Sequence, residues 1–196
     1  NYILSLSIMA RDLEYKKFVH RLAVTGDDRI FLNSDKDHAL DVLVEIFQLS
    51  QRKIRIFAGC LCKPVGDQQE YVMALSEFIE RGGELVVLLN AYDEKCAKVS
   101  NLYKRLAYYK SENKPIVVKQ TTAKPYLEND PEKKEVHFTV GDESSYRLET
   151  DVEQRAAECC LKSPITAKKI ADFFDDLFVQ VDSVEIDLIK LFENDD

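Results

Sequence analysis

The run Glu84-Leu-Val-Val-Leu-Leu89, set off by Gly82-Gly83, constrains the fold more than any other stretch of the chain. Its apolar side chains point to both faces of a strand, and such a strand belongs inside a sheet covered on both sides. Buried sheets of this kind are built from parallel strands joined through helices. The flanking sequence supplies both. Arg29-Ile-Phe-Leu32 reads as a short strand, followed by Asn33-Ser34 as a helix cap ahead of His38 to Phe47, a helix running to about Ser50. Lys53 to Ala58 is a second strand, and Gln68 to Arg81 a helix ended by the glycine pair. A helix over 99–112 and a strand Ile116-Val-Val-Lys119 continue the alternation. Thr121 to Lys134 is a polar, proline-containing loop, Ala156 to Cys160 a further strand or a turn, and Pro164 opens a last helix through Phe173, Phe174, Leu177 and Phe178. No internal repeat interrupts the pattern. It predicts an α/β fold, with a mixed β-sheet sandwiched by helices, parallel in its early part and antiparallel later.

At 196 residues the chain is long enough for one core without disulfides or metal. Three segments are expected: an N-terminal helical extension over 1–28, the α/β domain over 29–184, and an acidic tail or short helix over 185–196. In the extension, Tyr2 to His20 reads as a helix whose stripe is Ile3, Leu6, Ser7, Ala10, Leu13, Lys17 and His20. The tail is expected to turn through Ile186, Ile189 and Phe192. No apolar run reaches the roughly 18 to 20 residues of a membrane span, and the first ten residues lack the basic region of a signal peptide. The expectation is a cytoplasmic protein without membrane association.

Five cysteines, at 60, 62, 96, 159 and 160, are an odd number without a paired framework and favour free thiols in a reducing compartment. Cys60-Leu-Cys62 and Cys159-Cys160 lack the spacing of a zinc knuckle, so they read as small buried hydrophobes, with no metal and no cofactor called for. The net charge of −8 argues against a dedicated nucleic-acid binder. It is unevenly spread, however. Lys104, Arg105, Lys110, Lys114, Lys119 and Lys124, interleaved with Tyr103, Tyr108 and Tyr109, form a basic stretch that can face phosphates or, alternatively, belong to a solvated helix. From Asp172 onward acids dominate.

Chemistry concentrates near residue 140. Val136, Phe138 and Val140 alternate with His137 and Thr139, Gly141-Asp142 supplies a turn, and Tyr146 and Leu148 alternate with Arg147 and Glu149. On a β-hairpin His137, Arg147 and Glu149 share one face. His137 can act as a nucleophile or acid-base group with Glu149 orienting it and Arg147 clamping a phosphate, or it can be a half-buried strand histidine satisfied by a carboxylate. Arg147 and Glu149 can equally form a structural ion pair. His38 and His20 carry less information, and His38 reads as a packing or capping residue.

The order of elements, with Asn33-Ser-Asp-Lys-Asp-His-Ala39 leading a helix and Lys53-Ile-Arg-Ile-Phe57 a strand, resembles the single-copy phospholipase D-like domain. The hairpin starting at His137 stands where that family carries His-x-Lys and a later Asp, and the segment Ala156 to Phe178 is similar to its closing strand and helix. The resemblance covers roughly Arg29 to Val184. It implies a histidine that attacks a phosphodiester, a lysine two positions later that neutralises phosphate oxygens, and a second histidine, from the other half of a dimer, that protonates the leaving group. This chain departs from the pattern. Thr139 replaces the lysine and supplies a hydrogen bond but no charge. Glu149-Thr-Asp-Val-Glu153 stands in place of a Gly-Ser-x-x-Asn segment, and its carboxylates repel phosphate. Arg147, always charged and bidentate, is the residue that can replace the lost cation.

Two expectations follow. One is a catalytically degenerate phospholipase D-like module that serves as an interaction, assembly or ligand-sensing subunit, partnered by itself or by another protein, of a sort the resemblance places in bacterial defence systems. The other is a metal-independent phosphodiesterase or nuclease using His137 across a homodimer interface.

Overall fold

The computed structural model describes residues 2–62, 65–180 and 182–193, with side chains from residue 13 onward. Eight strands form one mixed sheet in the order β1-β7-β6-β5-β2-β3-β4-β8. They are β1 (Phe31–Asn33), β2 (Lys53–Ala58), β3 (Glu84–Leu89), β4 (Ile116–Gln120), β5 (His137–Gly141), β6 (Ser145–Asp151), β7 (Ala156–Cys160) and β8 (Val184–Glu185). The helices are α1 (Tyr2–Thr25), α2 (Lys36–Leu49), α3 (Gln69–Glu80), α4 (Glu94–Val99), α5 (Asn101–Ser111) and α6 (Pro164–Phe178), with a 3-10 turn at Lys190–Phe192.

β3 is where its sequence places it, buried between parallel neighbours β2 and β4. Right-handed helical crossovers are the ordinary route between such strands, and α3 joins β2 to β3 while α4 and α5 join β3 to β4. α3 stops at Gly82, whose φ of +94° a residue with a side chain rarely adopts, and Gly83 N–H closes the end on the Phe78 carbonyl. Past β4 the chain returns to the other side of β2. β5 runs antiparallel to β2, and β5, β6 and β7 form a meander.

Side-chain alternation divides the core between the two faces of the sheet. Ile54, Ile56, Leu85, Val87, Ile116 and Val118 pack beneath α1, α2, α3 and α5. Phe57, Val86, Leu88, Phe138, Val140 and Tyr146 pack against α6 through Ala167, Ala171, Phe174 and Leu177. Arg55 points to the α6 side and is pinned there by Asp175, with Nε and Nη2 each 2.8 Å from a carboxylate oxygen.

Several expectations need correcting. β1 does not extend the parallel part of the sheet. It pairs antiparallel with β7 at the far edge, because β5 and β6 already occupy that side of β2. Asn33 is the last residue of this strand and not a cap; Asp35 caps α2 by accepting from the Asp37 and His38 amides. The helix expected over 99–112 is α5, which starts at Asn101 behind Ser100, whose hydroxyl both caps it and donates to Asp67; the short helix α4 before it was not anticipated. In α1 the buried residues are Val19, Leu22 and Ala23, whereas Leu13, Lys17 and His20 of the anticipated stripe are exposed; Ile3, Leu6, Ser7 and Ala10 lie outside the described side chains. Among the described residues the tail holds a short 3-10 helix, Lys190–Phe192, and no α-helix. Val184 and Glu185 add a strand to β4, and Ile186, Leu188 and Leu191 are buried.

Candidate functional site

The hairpin forms in the expected register. His137 pairs with Glu149 and Thr139 with Arg147, so all four side chains share the face beneath α2 and α3. The turn is held from outside: Asp142 takes a φ of +52° and Glu143 one of +57°, and the Asp142 carboxylate accepts from the amides of Gln51, Arg52 and Lys53. Short polar residues tolerate this backbone best, and three amide bonds repay the strain at Asp142.

His137 opens β5 beyond the C-terminal end of β2, the side of an open α/β sheet where ligand clefts form. With Thr139, Arg147 and Glu149 it lines a pocket of about 210 Å³ walled by Ala39 and Leu43 of α2, Tyr71 of α3, and Gly59, Cys60 and Leu61 of the loop after β2. His137 does not contact its hairpin partner Glu149 through a hydrogen bond. Its Nε2 lies 2.6 Å from Oε1 of Glu135, two residues earlier, and the same oxygen accepts from Asn90 Nδ2 at 2.8 Å. Burial pushes the Glu135 carboxyl upward, but the bonds from Asn90 and His137 outweigh it and hold the group below its ordinary range. The carboxylate orienting His137 is therefore Glu135, not Glu149.

Glu149 belongs to a second cluster. Its Oε2 accepts from Arg147 Nη1 at 2.6 Å, and Arg147 also donates from Nε to Asn33 Oδ1 at 2.9 Å and from Nη2 to the Arg155 carbonyl at 3.3 Å. Arg147 and Glu149 are 6% and 2% exposed, so this is a buried ion pair, and each guanidinium nitrogen has one partner. A bulge between Glu149 and Asp151, followed by Arg155 at a φ of +57°, turns the chain so that the Arg155 carbonyl meets Arg147 and Asn33. Glu149 Oε1, also buried, has no hydrogen bond; Arg155 Nη1 is 3.5 Å away.

Sequence reasoning missed Glu135 as the partner of His137, and it missed Asn33, Asn90 and Arg155. The signal for Glu135 was present, since residues two apart on a strand share a face. For the asparagines and Arg155 there was none, because the contacts join segments such as 33 with 147 and 90 with 135.

The basic stretch is not gathered at this pocket. Lys104 and Arg105 are exposed on α5, and Arg105 lies over the Tyr109 ring. Lys110 donates to the Ile116 carbonyl, while Lys119, on the opposite face of the sheet, donates to the Phe178 carbonyl above that residue's ring. Lys114 is half-buried in the turn before β4. Of side chains of metal-ligating type, one close group occurs among the described residues, formed by Cys60, Cys62 and Cys96. No helix among them is long and apolar enough to cross a membrane.

This arrangement of sheet, helices and cleft is a phospholipase D-like fold, and solved structures bear that out. The chain is similar to Nuc from Salmonella typhimurium, a phospholipase D family member, with a TM-score of 0.52 and 11% identity over 81% of this chain and 99% of Nuc. NucT from Helicobacter pylori matches with a TM-score of 0.53 and 12% identity over 82% of this chain and all of NucT. TrmBL2, an archaeal chromatin protein that binds DNA, superposes over 93% of this chain with a TM-score of 0.60 and 12% identity; the match spans 66% of TrmBL2. No family model and no curated protein matches the sequence.

Proposed function

We propose that this chain is a phospholipase D-like module without phosphodiesterase activity, acting as a ligand-sensing or assembly subunit. One observation carries this reading: the cation that could stand in for the missing lysine, Arg147, is buried, and each of its three guanidinium nitrogens already donates, to Glu149, Asn33 or the Arg155 carbonyl. Stabilising a phosphoryl transition state takes preorganised positive charge aimed at its oxygens. Here Thr139 offers none, and freeing Arg147 would strip buried Glu149 of its 2.6 Å partner and leave it only Arg155, at 3.5 Å. The charges around the pocket, Arg147 and Arg155 against Glu149 and Glu135, cancel in formal count, so the site has little preference for an anion.

A pocket of about 210 Å³ is below the size of a typical drug-sized ligand site and suits a compact molecule. Glu149, 2% exposed, contributes to its wall a carboxylate paired with Arg147 and with Arg155 at 3.5 Å, and that negative charge disfavours a ligand that is only a phosphate. The assembly reading involves a second copy of the chain or a protein partner.

The test is phosphodiesterase activity in excess chelator on a bis-aryl phosphate and on labelled single-stranded DNA and RNA, with wild type beside His137→Ala and the solution mass recorded. The expected result is no turnover from either protein. Turnover that disappears in His137→Ala overturns it and supports the second reading, a metal-independent phosphodiesterase or nuclease with two copies of His137 facing across a dimer axis. That alternative is favoured by the Glu135 to His137 dyad at the pocket wall, the pairing a histidine nucleophile or general base needs. The basic residues of α5 are then a candidate nucleic-acid surface, tested by Lys104→Glu/Arg105→Glu in a binding assay read against salt concentration.

A further inference from the structure

Cys60 and Cys62 follow β2, and Cys96 lies in α4, thirty-odd residues on in the chain; their sulfur atoms all come within 4.8 Å of one another. Cys159 and Cys160 lie apart from them on β7, and folding instead joins Cys60 and Cys62 to a single cysteine from the helix that follows β3. We propose that these three thiols form a zinc site.

The geometry is close to what the ion requires. Zinc holds thiolate sulfur at about 2.3 Å in a tetrahedral arrangement, which sets two ligating sulfurs about 3.8 Å apart. Sulfurs already within 4.8 Å reach that spacing by a contraction of an ångström or less, within the range of side-chain rotation. The surroundings position each ligand. Cys62 N–H points to Cys60 Sγ at 3.3 Å, the kind of amide-to-sulfur contact that supports a thiolate on a metal. Leu61 between them takes a φ of +60°, which folds Cys62 back toward Cys60. The Tyr103 hydroxyl donates to the Cys60 carbonyl at 2.6 Å, and Asp93 accepts from the Cys96 amide at 3.1 Å, so both ends of the cluster are tied to buried or capping groups.

Burial differs in a useful way. Cys62 is fully buried while Cys60 and Cys96 are half-exposed, so an ion has an entry path and solvent can occupy the fourth coordination position. Binding displaces the protons of the three thiols, one from each sulfur, with no change of oxidation state. Soft thiolate ligands select zinc over the hard cations magnesium and calcium. The site has a consequence for the pocket: Cys60 and Leu61 form part of its wall, so the ion would staple that wall to α4.

Cobalt(II) substitution reads this directly. The full chain, reduced with a non-coordinating phosphine and stripped of metal, is titrated with Co2+ and then with Zn2+. The expected result is a sulfur-to-cobalt charge-transfer band saturating at one ion per chain, displaced by zinc, and lost in Cys62→Ser and Cys96→Ser but kept in Cys160→Ala. Cys62 is in the core, so the half-exposed Cys96 carries the decision: its serine variant should keep the fold by circular dichroism and lose at least tenfold in zinc affinity against a chromophoric chelator. A folded, reduced wild type with no charge-transfer band overturns the proposal, as does a band of equal intensity in Cys96→Ser.

Discussion

At the scale of single residues, the site turns on how two carboxylates are shared out. Glu135 serves His137 and Glu149 serves Arg147, and the consequences differ because only the second pair is buried. Removing one member of a buried pair strands the other, at a cost of about 3 to 5 kcal/mol. Glu149→Ala should therefore lower the unfolding free energy by about 3 kcal/mol in urea titrations at neutral pH. The double change Arg147→Met/Glu149→Leu should lose less than either single change, since apolar replacements leave no stranded charge. A double variant less stable than both singles would contradict the assignment of this pair as structural. Glu135 makes a pH-dependent contribution. Its folded carboxyl lies below its ordinary range, so its stabilisation is fully present above that range and is lost as pH falls through the folded-state value. Glu135→Gln should flatten the loss of stability between about pH 5 and pH 3, read as a smaller fall in melting temperature across that interval than in wild type.

At the scale of elements, alternation in the sequence predicted the strands best where the sheet needs it most. β2 and β3 occur within their expected limits, and the hairpin places His137, Arg147 and Glu149 on one face, because a period of two admits one orientation once one face is buried. Helix ends were harder to read. Asp35 caps α2 in place of Asn33 because Asn33 is drawn into β1 and toward Arg147, a demand made from more than a hundred residues away. Gly82 ends α3 in a conformation that costs any other residue strain, while open space surrounds it. Gly82→Ala should thus destabilise by about 1 kcal/mol through the backbone alone. α6 has its own anchor. Asp175→Ala leaves Arg55, 5% exposed, without its bidentate partner and with Glu143 at 3.6 Å as the remaining carboxylate. A loss of about 1 to 2 kcal/mol is expected, reduced by the partial exposure of Asp175, together with faster amide exchange along α6.

At the scale of the whole molecule, both ends of the described chain enter the core beneath the helical face. Val19, Leu22 and Ala23 of α1 and Ile186, Leu188 and Leu191 near the other end lie in the same apolar cluster as β2, β3 and β4. The acidic tail therefore contributes packing as well as charge. Leu188, 2% exposed, is the deciding position: Leu188→Ala should cost about 2 to 4 kcal/mol, a large share of the stability of a domain of this size, and unfolding should remain a single transition. Two separated transitions would show that the segment after β4 folds as its own unit.

By itself the sequence determined the class of fold, the central strands, the hairpin and the candidate His137, because each depends on local periodicity and on burial that a few neighbouring residues specify. Tertiary structure decided which carboxylate orients the histidine, that Arg147 is locked by Asn33 and the Arg155 carbonyl, that β1 joins the opposite edge of the sheet, and that Cys96 meets Cys60 and Cys62. Those outcomes rest on contacts between residues far apart in the chain. A hydrogen bond or a cluster of sulfurs leaves no periodic trace in the sequence, since the pairing is set by where the sheet brings its strand ends together.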